Sequence, residues 1–192
     1  WVPQIFPSLD IEAIITKRIN ENQPIPVTFL KRSSVNVDIP AGTTTYDWQI
    51  VNISSNPRYV IVAFKGNSPG DVASFTTNNH KYIGFSGDNS ITALRLDLNQ
   101  THYPLESVKL DPINFNMLEA YNNYENLCKI FGNEPQLNIL DFRNIYNIFC
   151  FDTSSQNEDL KKNGIQIKLH VEKAADLALK AFCLILEDAK HT

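Results

Sequence analysis

The sequence predicts an all-β protein, an antiparallel jelly-roll sandwich with one inserted amphipathic helix. Near the C-terminus, Ile165, Ile167, Leu169 and Val171 alternate with polar residues, which is typical of a strand with one face buried. Residues 181–186 are apolar without interruption, as expected of a strand covered on both sides. Residues that favour turns divide the rest of the chain into short segments, and this spacing favours a sandwich over a helical fold.

Nine segments have the composition of strands. They are residues 9–19, 25–31, 35–39, 45–53, 58–65, 92–98, 146–152, 164–172 and 180–187. Pro, Gly, Asn and Asp separate them, because fixed or positive backbone angles and local hydrogen bonds favour turns. Residues 68–90 are polar and rich in Asn and Gly, which predicts a long surface excursion.

One helix is predicted before Gly132, which would end it. Asn116 and Glu119 have the spacing of a capping box at its start. Apolar residues recur on one helical side, and these are Leu118, Tyr121, Leu127, Cys128 and Phe131. A cap contributes only about 1 kcal/mol, so packing of this side must stabilise the helix, either within the domain or on a neighbouring subunit.

The composition predicts a single domain over residues 1–192. A chain of 192 residues with 43% apolar and 20% charged residues can bury about 70% of its unfolded surface without a disulfide or a metal. The net charge of −4 and the absence of a basic stripe argue against direct binding of nucleic acid. No apolar run is long enough to span a bilayer, so we expect no membrane association. Because the chain starts at Trp1, we expect it to be a piece of something longer.

Chemical motifs are scarce, and we predict no catalytic, cofactor-binding or metal-binding residues. The run from Ile148 to Ser155 is similar to the active loop of aspartic proteases, but Ser154 occupies the glycine position and no second copy occurs. Asp152 is better explained as a turn residue that accepts backbone hydrogen bonds. The histidines are His80, His102, His170 and His191, and none has metal-site spacing.

The cysteines indicate an intracellular location, in the cytoplasm or the nucleus, or in a virion or virus-like particle. Cys128, Cys150 and Cys183 lie singly in apolar settings and their number is odd, so a disulfide framework is not expected. All three are interpreted as small core residues.

Several short motifs resemble the major capsid proteins of Polinton/Maverick (adintovirus-like) elements. Near the end these are Asp152, Ser154, residues 156–158, 160–161, Gly164, residues 182–185 and Asp188, and earlier they are residues 2–3, 7–8, 57–61 and 103–104. Those proteins contain two jelly rolls in tandem and form trimeric capsomers. The resemblance implies that this chain is similar to the C-terminal jelly roll, either as a fragment of an intact capsid protein or as a copy retained by a host.

The predicted function is therefore structural: a capsid or capsid-like protein that self-assembles, with no enzymatic activity and no cofactor. The expected partners are capsomer subunits of the same protein, forming a trimer in the intact family protein, and other capsid proteins. The alternative is a host-adopted jelly-roll module that binds a protein or a carbohydrate. Residues 76–85 contain amides and aromatic rings that could serve such binding.

Overall fold

Two antiparallel four-stranded sheets form the described part of the protein, for which we use a computed structural model. The structure describes residues 6–24, 27–54, 56–66, 91–99, 101–111, 116–144, 146, 148–155, 164–174 and 178–191. The strands are β1 (Val27–Ile39), β2 (Thr45–Ser54), β3 (Pro57–Gly66), β4 (Ile91–Leu98), β5 (Thr101–Lys109), β6 (Ile148–Asp152), β7 (Ile165–Lys173) and β8 (Leu179–His191). The helices are α1 (Leu9–Asn20), α2 (Leu118–Ile130) and α3 (Ile139–Asn144).

The strand order is that of a jelly roll. Sheet A has the order β1-β8-β3-β6 and sheet B has the order β2-β7-β4-β5. The pairs β1–β8, β2–β7, β3–β6 and β4–β5 are all hydrogen-bonded. The first four strands therefore pair in reverse order with the last four, and the resulting antiparallel ribbon forms both sheets of the sandwich. This arrangement confirms the predicted fold class, an all-β antiparallel sandwich of jelly-roll type.

Alternation places the core between the sheets. In β7, the four predicted residues Ile165, Ile167, Leu169 and Val171 are fully buried, as the sequence predicted. Opposite them, β3 and β8 contribute their own alternating apolar residues. The inward residues of β3 and β8 are Val60, Val62, Phe64, Leu179, Ala181, Cys183 and Ile185. Burial of this set from both sheets is the main stabilising contribution.

Several predictions about the elements were wrong. Residues 9–19 form the helix α1 and no strand, because Ile11, Ile14, Ile15 and Ile19 recur with helical spacing, and acids precede bases along the segment as the helix dipole favours. Residues 25–31 and 35–39 belong to one strand, β1, whose register with β8 is unbroken. The strand β5 was missed, and the described residues form eight strands where nine were predicted.

The described residues form three helices where one was predicted. The helix α2 occurs in the predicted place and ends at Gly132, whose positive φ of 71° and backbone bonds close it as a Schellman motif. The capping box was wrong, because Met117 occupies the N-cap position and makes no side-chain cap. The short helix α3 is capped instead by Asn138, whose Oδ1 accepts from the N–H groups of Leu140 and Asp141 at 2.9 Å.

The buried side of α2 also differs from the prediction. Ala120 and Tyr124 are buried, whereas Leu118 is 57% exposed. Helix α2 packs along β6, and at its end the ring of Phe131 meets Tyr59 of β3 edge-on at 5.5 Å. The helix therefore packs within the domain, which was the first of the two predicted alternatives.

Two buried polar residues tie the sheets to their loops. Thr153 follows β6, and its Oγ1 donates to the carbonyl of Pro57 at 2.9 Å. The Nζ atom of Lys173 donates to the carbonyl of Thr43 at 2.7 Å, and only 3% of this lysine is exposed. Because these polar groups are hydrogen-bonded, their burial costs little.

Candidate assembly surfaces

The outer face of sheet A carries an apolar outer patch, formed by Ile61, Ala63, Phe182 and Leu184. The pairs Ile61–Leu184 and Ala63–Phe182 lie directly opposite one another across β3 and β8. Phe182 is 42% exposed, and a depression of about 180 Å³ lies beside it. Among the described residues, the strand β1 bounds this depression with Ser34 and Asn36. Water contact with apolar side chains of this size is unfavourable, so the patch is a candidate interface.

This patch corrects one prediction. The unbroken apolar run 181–186 was interpreted as a strand covered on both sides, but Phe182 projects from the sandwich. Leu186, further along the same face, is buried beside Tyr59, where Phe131 contacts the tyrosine ring. Coverage by the end of α2 therefore stops before Phe182.

Helix α1 is a second exposed apolar feature. All of its residues are exposed and none is buried, including Leu9, Ile11, Ile14 and Ile19. A helix whose apolar side meets no partner gains nothing from burial within the chain, and burial is the usual source of helix stability. The helical spacing of the isoleucines was the signal that the strand prediction overlooked.

The outer face of sheet B has the opposite character, because charged side chains cross it. On β2, Asp47 accepts from Lys168 at 2.9 Å and from His170 at 2.6 Å, both on β7. On β4, Asp97 accepts from Arg95 at 2.9 Å and from His102 of β5 at 2.7 Å. Because its charged groups are paired with one another, this face has no need of a covering partner.

The two aspartates of this face are held in their charged form. Hydrogen bonds from His170 and then Lys168 lower the pKa of Asp47 below its ordinary value. Burial of Asp97 opposes ionisation, but the hydrogen bonds from Arg95 and His102 outweigh it, so the pKa of Asp97 is also lowered.

A groove lies between α2 and β6, and we name it the β6 groove. Its volume is about 390 Å³. One side of α2 forms a wall with Glu119, Asn123, Asn126 and Ile130, while Cys150, Phe151 and Asp152 line the strand side. The groove thus places amide and carboxylate side chains beside a strand.

The candidate chemical residues form no catalytic arrangement in the part of the chain that the structure describes. As predicted, Asp152 orders its turn: its Oδ1 accepts from the N–H of Ser154 at 2.9 Å. Cys150 and Cys183 are buried core residues, as predicted, and burial raises the pKa values of their thiols to about 12, so few thiolates form. Cys128 is only partly buried.

Of the histidines, His102 and His170 have described side chains, and each pairs with a different aspartate. His170 lies on the polar side of β7, as predicted, and His102 lies on β5 with Asp97 as its partner. His80 lies outside the described residues, as do the predicted excursion at 68–90 and the segment 76–85. Within the described ranges, no cluster of His, Cys, Asp and Glu side chains could hold a metal ion. None of the described helices has both the length and the hydropathy to cross a membrane.

The protein is a jelly-roll β-sandwich, as shown by its strand order and by the pairing of β1 with β8, β2 with β7, β3 with β6 and β4 with β5. One of its two outer faces is charged, and the other exposes apolar side chains. A family model described as "Double jelly roll-like domain" matches residues 7–190 of the chain. The chain therefore belongs to the family of double jelly roll-like domains. A search of curated proteins finds no match.

Proposed function

We propose that this protein is a structural subunit of a capsid or capsid-like assembly and acts by self-association. Membership of the double jelly roll-like family supports the proposal, because such domains are typical of capsid proteins. The observation that carries it is the contrast between the sheets: paired charges cover the outer face of sheet B, while sheet A exposes the apolar outer patch.

The assembly we propose follows from the sequence resemblance to Polinton/Maverick capsid proteins. The chain corresponds to one jelly roll of a tandem pair, and a protein with both jelly rolls forms trimers with the outer patch and α1 at its contacts. The single jelly roll associates weakly, because it lacks part of the surface that offsets the entropy lost on association. Its partners are copies of itself and other capsid proteins, within the cell or in a virus-like particle.

Sedimentation across a broad concentration range tests this proposal. We expect the wild-type chain to be monomeric at low concentration and to self-associate weakly as concentration rises. Phe182→Glu should abolish that association, since it places a charge in the apolar outer patch. The control is Gln166→Glu, at an exposed position of β7. Melting curves establish that both variants are folded.

Three results would contradict the proposal in different ways. Equal association of wild type and Phe182→Glu would exclude the outer patch as the contact. A tight trimer of the single chain would contradict the need for a second jelly roll. A strict monomer that binds a glycan or a host protein tightly would favour the host-adopted binding module. We propose no enzymatic activity, and Asp152→Asn should therefore leave any peptide-cleaving background unchanged.

A further inference from the structure

The free edge of β6 carries unpaired backbone groups. This strand is last in the order of sheet A and pairs with β3 on one side only. The N–H of Thr153 donates to the carbonyl of Arg58 at 2.8 Å, so residues 58 and 153 form a hydrogen-bonded pair. In an antiparallel ladder such pairs alternate with non-bonded ones. The bonded pairs are therefore Val60–Phe151 and Val62–Phe149.

It follows that Ile148, Cys150 and Asp152 direct their backbone N–H and C=O groups away from β3. In the described structure, the backbone groups of Cys150 and Asp152 bond to no other residue at this edge. The carbonyl of Ile148 receives only a long contact of 3.9 Å from the Cys150 thiol. A row of alternating donors and acceptors of this kind is a template for another strand.

The β6 groove lies beside this edge, since Cys150 and Asp152 are among its lining residues. Its other wall is the side of α2 that carries Glu119 and Asn123. An extended chain in the groove would meet backbone partners on β6 and side-chain partners on α2.

The other edges of the sandwich are less suited to strand addition. Register irregularities interrupt β2, and Pro104 lies within the edge strand β5. The edge strand β1 carries the charged residues Lys31 and Arg32. Charges, proline and irregularities are the features by which sheet edges avoid pairing. In contrast, β6 has the sequence Ile-Phe-Cys-Phe before Asp152.

The β6 groove carries negative charge, which favours a positively charged occupant. Its described lining contains the carboxylates of Glu119 and Asp152 and the amides of Asn123 and Asn126, with no lysine or arginine. We propose that the β6 groove binds an extended, basic segment of a partner protein, which joins sheet A as an additional strand beside β6. Main-chain bonds to Cys150 and Asp152 supply affinity, and the two carboxylates favour Lys or Arg side chains on the partner.

The experiment uses the full chain and the labelled peptide Lys-Val-Thr-Val-Lys-Val-Thr-Val-Lys. We expect saturable binding by fluorescence anisotropy, and protection of the Cys150 and Asp152 amides from hydrogen exchange when the peptide is present. Two control peptides carry N-methyl groups on alternate backbone nitrogens, one on the set that points towards β6 and the other on the set that points away from it. Only the one whose methyl groups face β6 should lose binding, because only that one lacks the donors of the new ladder.

Protein variants test the charge preference. Glu119→Lys and Asp152→Asn should each weaken binding by about two- to fivefold, the effect expected of an exposed ion pair. Asparagine at 152 keeps an oxygen that can accept from Ser154, so the turn is retained. Glu12→Lys on α1 is the matched control for Glu119→Lys, because it makes the same change of charge away from the groove and should have no effect.

Three results would overturn the proposal. One is the absence of saturable binding up to about 1 mM peptide, a concentration that detects even weak complexes. Another is equal loss of binding for both methylated peptides. The third is protection of the Cys150 and Asp152 amides that rises with protein concentration without peptide, because the occupant would then be a second copy of the chain.

Discussion

The Nδ1 atom of His170 lies 2.6 Å from the Oδ1 atom of Asp47, joining β7 to β2 on the outer face of sheet B. Lys168 binds the second carboxylate oxygen at 2.9 Å. Ion pairs thus connect neighbouring strands on the outer face of sheet B, whereas the outer face of sheet A is apolar around Phe182. This difference between the two faces is the basis of the assembly proposal.

The Asp47 contacts predict a pH dependence of stability. Folding lowers the pKa of Asp47 below 3.8, so its contribution is present above that pH and is lost as the pH falls through the lower, folded-state value. We expect Asp47→Asn to reduce the free energy of unfolding at pH 6 by about 0.5 kcal/mol, because the side chain is half-exposed and screened. In urea titrations, the difference from wild type should shrink below pH 3.8. Asp10→Asn on α1 is the control and should match wild type at every pH. If the stability difference between Asp47→Asn and wild type stays the same below pH 3.8, this explanation is wrong.

The core position of Ile167 predicts a large loss of stability on charge insertion. This side chain is fully buried between the sheets. Ile167→Asp should destabilise the domain by more than about 4 kcal/mol or unfold it, since it buries a charge without a partner. Gln166→Asp, one residue earlier on the exposed face, should cost little. Similar melting temperatures for Ile167→Asp and wild type would disprove the inward assignment of β7.

The exposure of α1 predicts that the sandwich does not need it. None of its residues is buried. Removal of residues 6–22 should therefore change the free energy of unfolding by less than about 0.5 kcal/mol, the usual range for surface changes. If α1 contributes to assembly, the same truncation should weaken association in sedimentation. A strongly destabilised truncated chain would show that α1 packs on the body.

We predict that the hydroxyl group of Tyr124 contributes measurably to stability. Its oxygen accepts from the backbone N–H groups of Gln136 and Leu137 at 3.2 and 3.3 Å, which ties α2 to the segment before α3. Tyr124→Phe should reduce stability by about 1–2 kcal/mol, because two partly buried donors lose their acceptor. The comparison variant is Tyr121→Phe, which removes a single donor to the carbonyl of Leu137. Wild-type stability of Tyr124→Phe in chemical denaturation would show that water replaces the hydroxyl without cost.

Most strands could be predicted because a half-buried strand leaves a pattern of period two in the sequence. Ile165 to Val171 display it clearly, and all four of the apolar residues face the core. The wrong predictions arose where the structural preference of single residues disagrees with their spacing or their position in the sheet. The isoleucines of residues 9–19 favour strands as residue types, but their spacing and flanking charges fit a helix. The strand β5 was missed because Tyr103-Pro104 is typical of a turn, although edge strands tolerate proline.

The sequence by itself determined the fold class, the inward face of β7, the end of α2 at Gly132 and the turn role of Asp152, since each depends on a local pattern or a local hydrogen bond. Only the tertiary structure decided which apolar residues remain outside. Phe182 and Leu186 belong to one apolar run, yet Phe182 is exposed and Leu186 is buried. The free edge of β6 likewise exists because this strand comes last in sheet A, and strand order is a product of long-range pairing that no local pattern encodes.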